Sequence, residues 1–203
     1  MLEISENLIS LLAKLCGGVA IFLPLVQYLG AYKRLNKNPV TGPVFYWRWP
    51  VIILMTAGFV VAAVVLWKPI PLQLSTLSRF SLLVIGACLY FPGVVLYLWG
   101  FFTLGRMFGI SSSFGANVYP DHKLIQAGPY KVLRHPMYLG VILAGVGALL
   151  LFRTWAMLLF APMTLSVILR ARREEMVLNQ KFGQVWKAYC QRVPAWWPRL
   201  SGK

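Results

Sequence analysis

The side chains able to do chemistry in this sequence are few, and most of them fall close together. Among 203 residues there are 5 acidic residues and 2 histidines. Glu3 and Glu6 stand at the start. Asp121, Glu174, Glu175 and both histidines, His122 and His135, come later. In "RARREE", Arg170 and Glu174 are one helical turn apart, so a guanidinium and a carboxylate share one face. An arginine can hold an anionic group bidentately, and a carboxylate beside it can hold an ammonium or another cation. The plainer alternative is an ion pair on a surface helix, and the spacing fits both. In "GPYKVLRHPMYLG", Pro136 suits the first turn of a helix. Arg134 and His135 then sit at a helix N-terminus, where negative charge is favoured. His135 and Glu175 are the candidates if a reaction at this site needs a general base. Cys16, Cys88 and Cys190 are scattered with no CxxC pair, so neither a disulfide framework nor a metal site is expected.

The elements that must position these groups are apolar. The chain is 59% hydrophobic and 12% charged, with mean hydropathy +0.67, against roughly 25% charged in soluble domains. A hydrocarbon core of about 30 Å needs roughly 20 apolar residues in a helix. Leu8 to Tyr32, Val44 to Trp67 and Phe80 to Leu104 meet that length, with Lys14 near one end of the first. No basic leader or small-residue cleavage site accompanies the first run, so a retained span is expected. Met137 to Phe152 and Thr154 to Leu169 are shorter, reaching only about 24 Å each. They read as a tight helical hairpin, with Gly140, Gly145 and Gly147 letting its two helices approach closely. From Arg170 to about Arg192, Leu178, Phe182, Val185 and Tyr189 recur at helical spacing, which predicts an amphipathic helix. Pro194 ends it, and Trp196 and Trp197 suit a membrane interface. The expected fold is all-α: a polytopic membrane helical bundle of about five transmembrane helices, the last two a short hairpin, plus a C-terminal amphipathic helix. Residues 1–203 read as one domain, with three spans in 1–104 and the catalytic-looking half in 105–203.

The net charge of +15 is carried in the loops. Lys33, Arg34, Lys37 and Arg48, then Arg106, Lys123, Lys131 and Arg134, then the tail from Arg170 to Lys203 fall on one side. Lys14, Lys68, Arg79 and Arg153 fall on the other. Basic loops face the cytosol, so the N-terminus is expected outside, and the C-terminus and the reactive groups in the cytosol. With no soluble basic domain, nucleic acid is excluded as a partner. A transporter would show inverted repeats and polar residues within its spans, and the sequence displays neither. Nothing in the sequence fixes an oligomeric state.

Several motifs in fixed order resemble a known family. "HKLIQAGPYKVLRHPMYLG", an apolar hairpin and then "RARREEMVLNQKFGQVWKAYCQRVP" are similar to the C-terminal half of isoprenylcysteine carboxyl methyltransferases and the related phospholipid N-methyltransferases. The resemblance covers about Leu104 to Pro198. It implies a membrane-embedded enzyme using S-adenosylmethionine without a Rossmann domain, and the sequence has no GxGxxG after a strand. By position it implies cofactor contacts at His122, Lys123, Leu124, Ile125, Tyr130, His135, Pro136, Met137, Tyr138 and Glu174. It also implies a catalytic group of Arg170, Glu174 and His135, with Arg170 handling the reacting end of a lipid-like substrate in the bilayer. The acceptor stays open between a carboxylate, an amine, a thiol and a phenol. Membrane sterol reductases, which use NADPH, resemble the same helices but are longer chains with more spans.

Overall fold

Backbone amides in hydrocarbon must be satisfied within the segment itself, which favours helices for apolar runs like these. The computed structural model describes residues 2–35, 49–108 and 123–197. Among these the chain forms α1 (Leu2–Leu35), α2 (Trp49–Val65), α3 (Thr76–Leu104), α4 (Pro136–Phe152), α5 (Trp155–Met163), α6 (Ser166–Phe182) and α7 (Gln184–Arg192). Short 3-10 turns lie at Gly105–Met107 and Gly128–Lys131. The described residues contain no strand beyond an isolated bridge between Pro69 and Thr154. Glu3–Pro24, Thr76–Leu104 and the α5–α6 stretch Trp155–Phe182 are long and apolar enough to cross a membrane. α2 and α4, at 17 residues each, reach about 25 Å.

The closest packing is between α3 and α4. Gly86, Gly93 and Gly100 on α3 repeat every seventh residue, and so do Gly140 and Gly147 on α4. A Cβ on Gly93 would lie 2.6 Å from the Ala144 nitrogen and 2.8 Å from the Gly140 carbonyl. One on Gly147 would lie 2.5 Å from the Tyr90 nitrogen. The backbones touch at Gly93, Gly140 and Gly147, so only glycine fits there. This corrects the expectation that all three glycines serve the last hairpin. Gly140 and Gly147 face α3, and Gly145 alone faces the α5–α6 joint, where Thr164 Cγ2 would be 2.7 Å from an added Cβ. Small residues permit close approach to any neighbour, and their spacing does not say which.

α1 docks against α3 and also meets α4. The buried Tyr90 hydroxyl donates to the Ala13 carbonyl at 2.7 Å, and Ala13, Leu83, Val94, Ala148 and Leu151 pack around it. One end of the bundle is closed by Glu6. Its carboxylate accepts from Arg79 at 2.6 Å and from Arg153 at 3.2 Å, so it ties α1 to the start of α3 and to the α4–α5 turn. Arg153 makes that turn at φ +48. Its carbonyl accepts from Ile70 at 2.8 Å, so the α2–α3 connection is held there too.

The tail departs from expectation in two ways. The helix break falls at Thr164–Leu165, two residues past Pro162, so α6 begins at Ser166 and carries the RARREE run without interruption. The reason is local: Pro162 removes a donor from the ladder, whereas Leu169–Arg170 has no breaker. The single amphipathic helix is instead two, divided at Gly183 (φ +50). The break shifts the helical phase. Leu178, Trp186, Tyr189 and Val193 form the buried cluster, with Phe182 partly buried against it. Val185, expected inside, is 59% exposed.

Candidate active site

At the end of the bundle opposite Glu6, three segments converge: the 3-10 turn Gly128–Lys131, the start of α4 and the middle of α6. The turn reverses at Gly128 (φ +55), where a Cβ would lie 2.7 Å from Thr103 Oγ1. That contact seats the turn on α3. It buries Tyr130, whose hydroxyl comes to 3.4 Å from where a Gly100 Cβ would be. Burial, with the charge of Glu174 nearby, pushes the Tyr130 phenol far up, so it stays protonated.

The reactive groups sort into two adjoining clusters. In the first, the Tyr138 hydroxyl donates to Glu174 Oε2 at 2.8 Å, and the Arg170 guanidinium also bonds that hydroxyl oxygen. Arg170 and Glu174 therefore share a tyrosine of α4. In the second, Glu175 Oε1 lies 2.9 Å from His135 Nε2 and 3.3 Å from an Arg134 nitrogen. His135 is 5% exposed. Its ring stacks on Tyr138 with centroids 5.6 Å apart, and Trp196 stands 5.3 Å away on the ring. Arg134 also bonds Cys190 Sγ and lies over the Trp186 ring at 5.7 Å. Two neighbouring acids on α6 thus serve different partners.

The start of α4 keeps donors for an anion. His135 is its N-cap residue but its side chain makes no capping bond, and its carbonyl already accepts from Leu139. The first-turn amides of Met137 and Tyr138 are among those a helix leaves without an internal partner. By contrast, the amides of Arg134 and His135 are taken: they donate to the Pro194 and Ala195 carbonyls at 2.9 and 3.2 Å.

Of the positions singled out from sequence, Tyr130, His135, Tyr138, Arg170 and Glu174 come together. Pro136 and Met137 also lie here, but their side chains are buried in packing, Met137 against Gly100. Leu124 packs on the Leu178–Trp186–Tyr189 cluster, Lys123 is exposed and Ile125 half-buried. His122 lies outside the described residues, as does Asp121. Among the described residues no group of three or more His, Cys, Asp or Glu is placed to hold a metal. Sequence reading placed Trp186 and Tyr189 in the FGQVWKAY motif and Trp196 at a membrane interface, but named none of the three as a site residue. Tyr189 Oη donates to the Tyr130 carbonyl at 2.7 Å, and burial pushes its phenol up to about 12, so it remains a donor at neutral pH. Trp196 carried no signal beyond a general fitness for membrane interfaces.

A family model described as phospholipid methyltransferase matches residues 81–185, just over half of the chain. That stretch takes in most of α3 as well as α4 to α6. A protein-S-isoprenylcysteine O-methyltransferase B of Arabidopsis thaliana is 34% identical over 82 residues, 39% of this chain and 42% of its own length. The nickel-cobalt-cadmium resistance protein NccN of Alcaligenes xylosoxydans xylosoxydans is 35% identical over 81 residues, 39% of this chain and 38% of its own. The similarity thus spans about two fifths of each relative's length.

Proposed function

The chain belongs to the phospholipid methyltransferase family, and we propose that it is an integral membrane methyltransferase that moves a methyl group from S-adenosylmethionine to a lipid-like or prenylated acceptor. The observation that carries this reading is the Arg170–Tyr138–Glu174 cluster beside the uncapped start of α4. A zwitterionic amino-acid end needs a carboxylate for its ammonium and N–H donors for its carboxylate. Glu174 offers the first, and the Met137 and Tyr138 amides the second. Aromatic rings attract a sulfonium as they do other cations, and Tyr130 and Tyr138 both adjoin Glu174. The donor set therefore fits the cofactor.

When bound, S-adenosylmethionine supplies a methyl group activated by its positive sulfur. This chain's own contribution is alignment and exclusion of water. Arg170, one turn before Glu174, orients an anionic acceptor such as a prenylcysteine carboxylate, which is already a nucleophile and needs no base. Tyr138, held by both Arg170 and Glu174, fixes the distance between acceptor and donor subsites. His135 is enclosed by Tyr138, Trp196 and Glu175, so it positions α4 rather than meeting solvent. The carboxylate acceptor is favoured by the similarity to the isoprenylcysteine O-methyltransferase. The phospholipid reading takes support from the family description, but an amine acceptor must lose a proton, and the two carboxylates of α6 are already engaged.

In the membrane, α2 and α4 supply the crossings beyond the three long spans, giving about five. The basic end, with the site, faces the cytosol, and Glu6 lies outside. Residues 1–203 act as one domain. The test is transfer of a labelled methyl from S-adenosylmethionine by purified protein to a farnesylated cysteine analogue and, separately, to a membrane lipid extract, with products identified by mass. Label on the carboxyl of the cysteine analogue is expected. Label only on a lipid amine selects the phospholipid reading, and label in neither contradicts both.

A further inference from the structure

We propose that the C-terminal segment Trp186–Trp196 is part of the methyl-donor site, acting as a strap that holds the Arg134–His135 corner in place, with Trp196 as a positioning residue. This deepens the functional reading above and rests on it. The segment lies just beyond residues 81–185, the stretch that the family model matches.

Its attachment is specific at every level. Consecutive carbonyls of Pro194 and Ala195 accept from the consecutive amides of Arg134 and His135. The Trp196 ring packs beside His135 with centroids 5.3 Å apart and planes tilted by 33°, and Trp186 lies under the Arg134 guanidinium. Tyr189 donates to the Tyr130 carbonyl at 2.7 Å, and Arg192 reaches Gln126 Oε1 at 3.1 Å. All of these contacts run to one loop, Gln126 to His135, and that loop ends where α4 offers its first-turn amides. The strap therefore sets the direction in which those amides point. Trp197, the next residue, is 72% exposed and provides an internal control.

In the full-length protein, Trp196→Ala is expected to raise the KM for S-adenosylmethionine about tenfold, with kcat and the acceptor KM within about twofold of wild type. Trp196→Phe restores most of the donor affinity, and Trp197→Ala leaves it unchanged. A donor KM in Trp196→Ala equal to wild type would overturn the proposal, as would equal losses from Trp196→Ala and Trp197→Ala. A second measurement needs no bound donor: hydrogen exchange of the Arg134 and His135 amides in ligand-free protein truncated after Val193. Exchange there is expected to rise at least tenfold while the α3–α4 seam stays protected. Unchanged exchange at the two amides overturns the strap whether or not any donor binds. Failure of the wild-type protein to bind S-adenosylhomocysteine counts against the functional reading instead, and the exchange result stands apart from it.

Discussion

Glu174 and Glu175 are separated by about 100° around α6, and that angle divides their work. Glu174 meets Tyr138 and shares it with Arg170, whereas Glu175 meets His135 and Arg134. The division gives contrasting outcomes for substitutions one turn apart. Glu174→Ala is expected to abolish measurable S-adenosylhomocysteine binding in a calorimetric titration, because the ammonium loses its only charged partner in the proposed subsite. Arg170→Ala is expected to leave that affinity within about threefold and to remove turnover, read as labelled methyl transfer. Tyr138→Phe deletes a hydroxyl bonded to a charged group, worth about 1.5–3 kcal/mol, so donor affinity should fall by roughly tenfold or more. That Arg170 and Glu174 share one face of α6 was legible from their spacing. The role of Glu175 was not, because sequence shows two adjacent acids and only the packing of α6 on α4 shows where each one points.

At the scale of the element, the α3–α4 seam carries the site, since the turn bearing Tyr130 rests on Gly100 and α4 begins at Pro136. Gly93→Ala places a Cβ 2.6 Å from a backbone nitrogen, and overpacking of this kind costs about 1–3 kcal/mol. A fall in melting temperature of several degrees in detergent is expected, measured beside Gly18→Ala, whose added Cβ meets nothing within 4 Å and which should melt like wild type. The helices themselves were readable because hydropathy and length determine them. Their partners were harder to read. A seven-residue glycine spacing suits any close neighbour, so Gly140 and Gly147 pointed equally to α3 and α5. The amphipathic tail was readable as a pattern, yet Gly183 resets the phase and exchanges Val185 for Trp186 on the inner face. A single glycine inside a periodic run carries little sign of that switch.

Across the whole molecule, the two ends of the bundle are built differently. One end is closed by a single carboxylate, Glu6, shared between Arg79 and Arg153. The other gathers the turn, α4, α6 and the tail around two carboxylates. Removing one partner of a partly buried ion pair leaves the rest uncompensated. Glu6→Gln should therefore lower thermal stability while leaving S-adenosylhomocysteine affinity as in wild type, a separation of fold from site that paired melting and calorimetry would reveal. The order of motifs along the chain anticipated which segments meet at the site. The return of residues 194–196 to residues 134–135 was hidden, because a backbone-to-backbone contact across so much chain leaves no mark on residue type. The central claim, that this end of the bundle is a methyl-donor site built on Glu174, is tested most directly by titrating S-adenosylhomocysteine into wild-type protein and Glu174→Ala side by side in detergent. Saturable one-to-one binding by wild type that disappears in the variant is the expected result; equal affinity in the two proteins, or no binding by wild type, would contradict it.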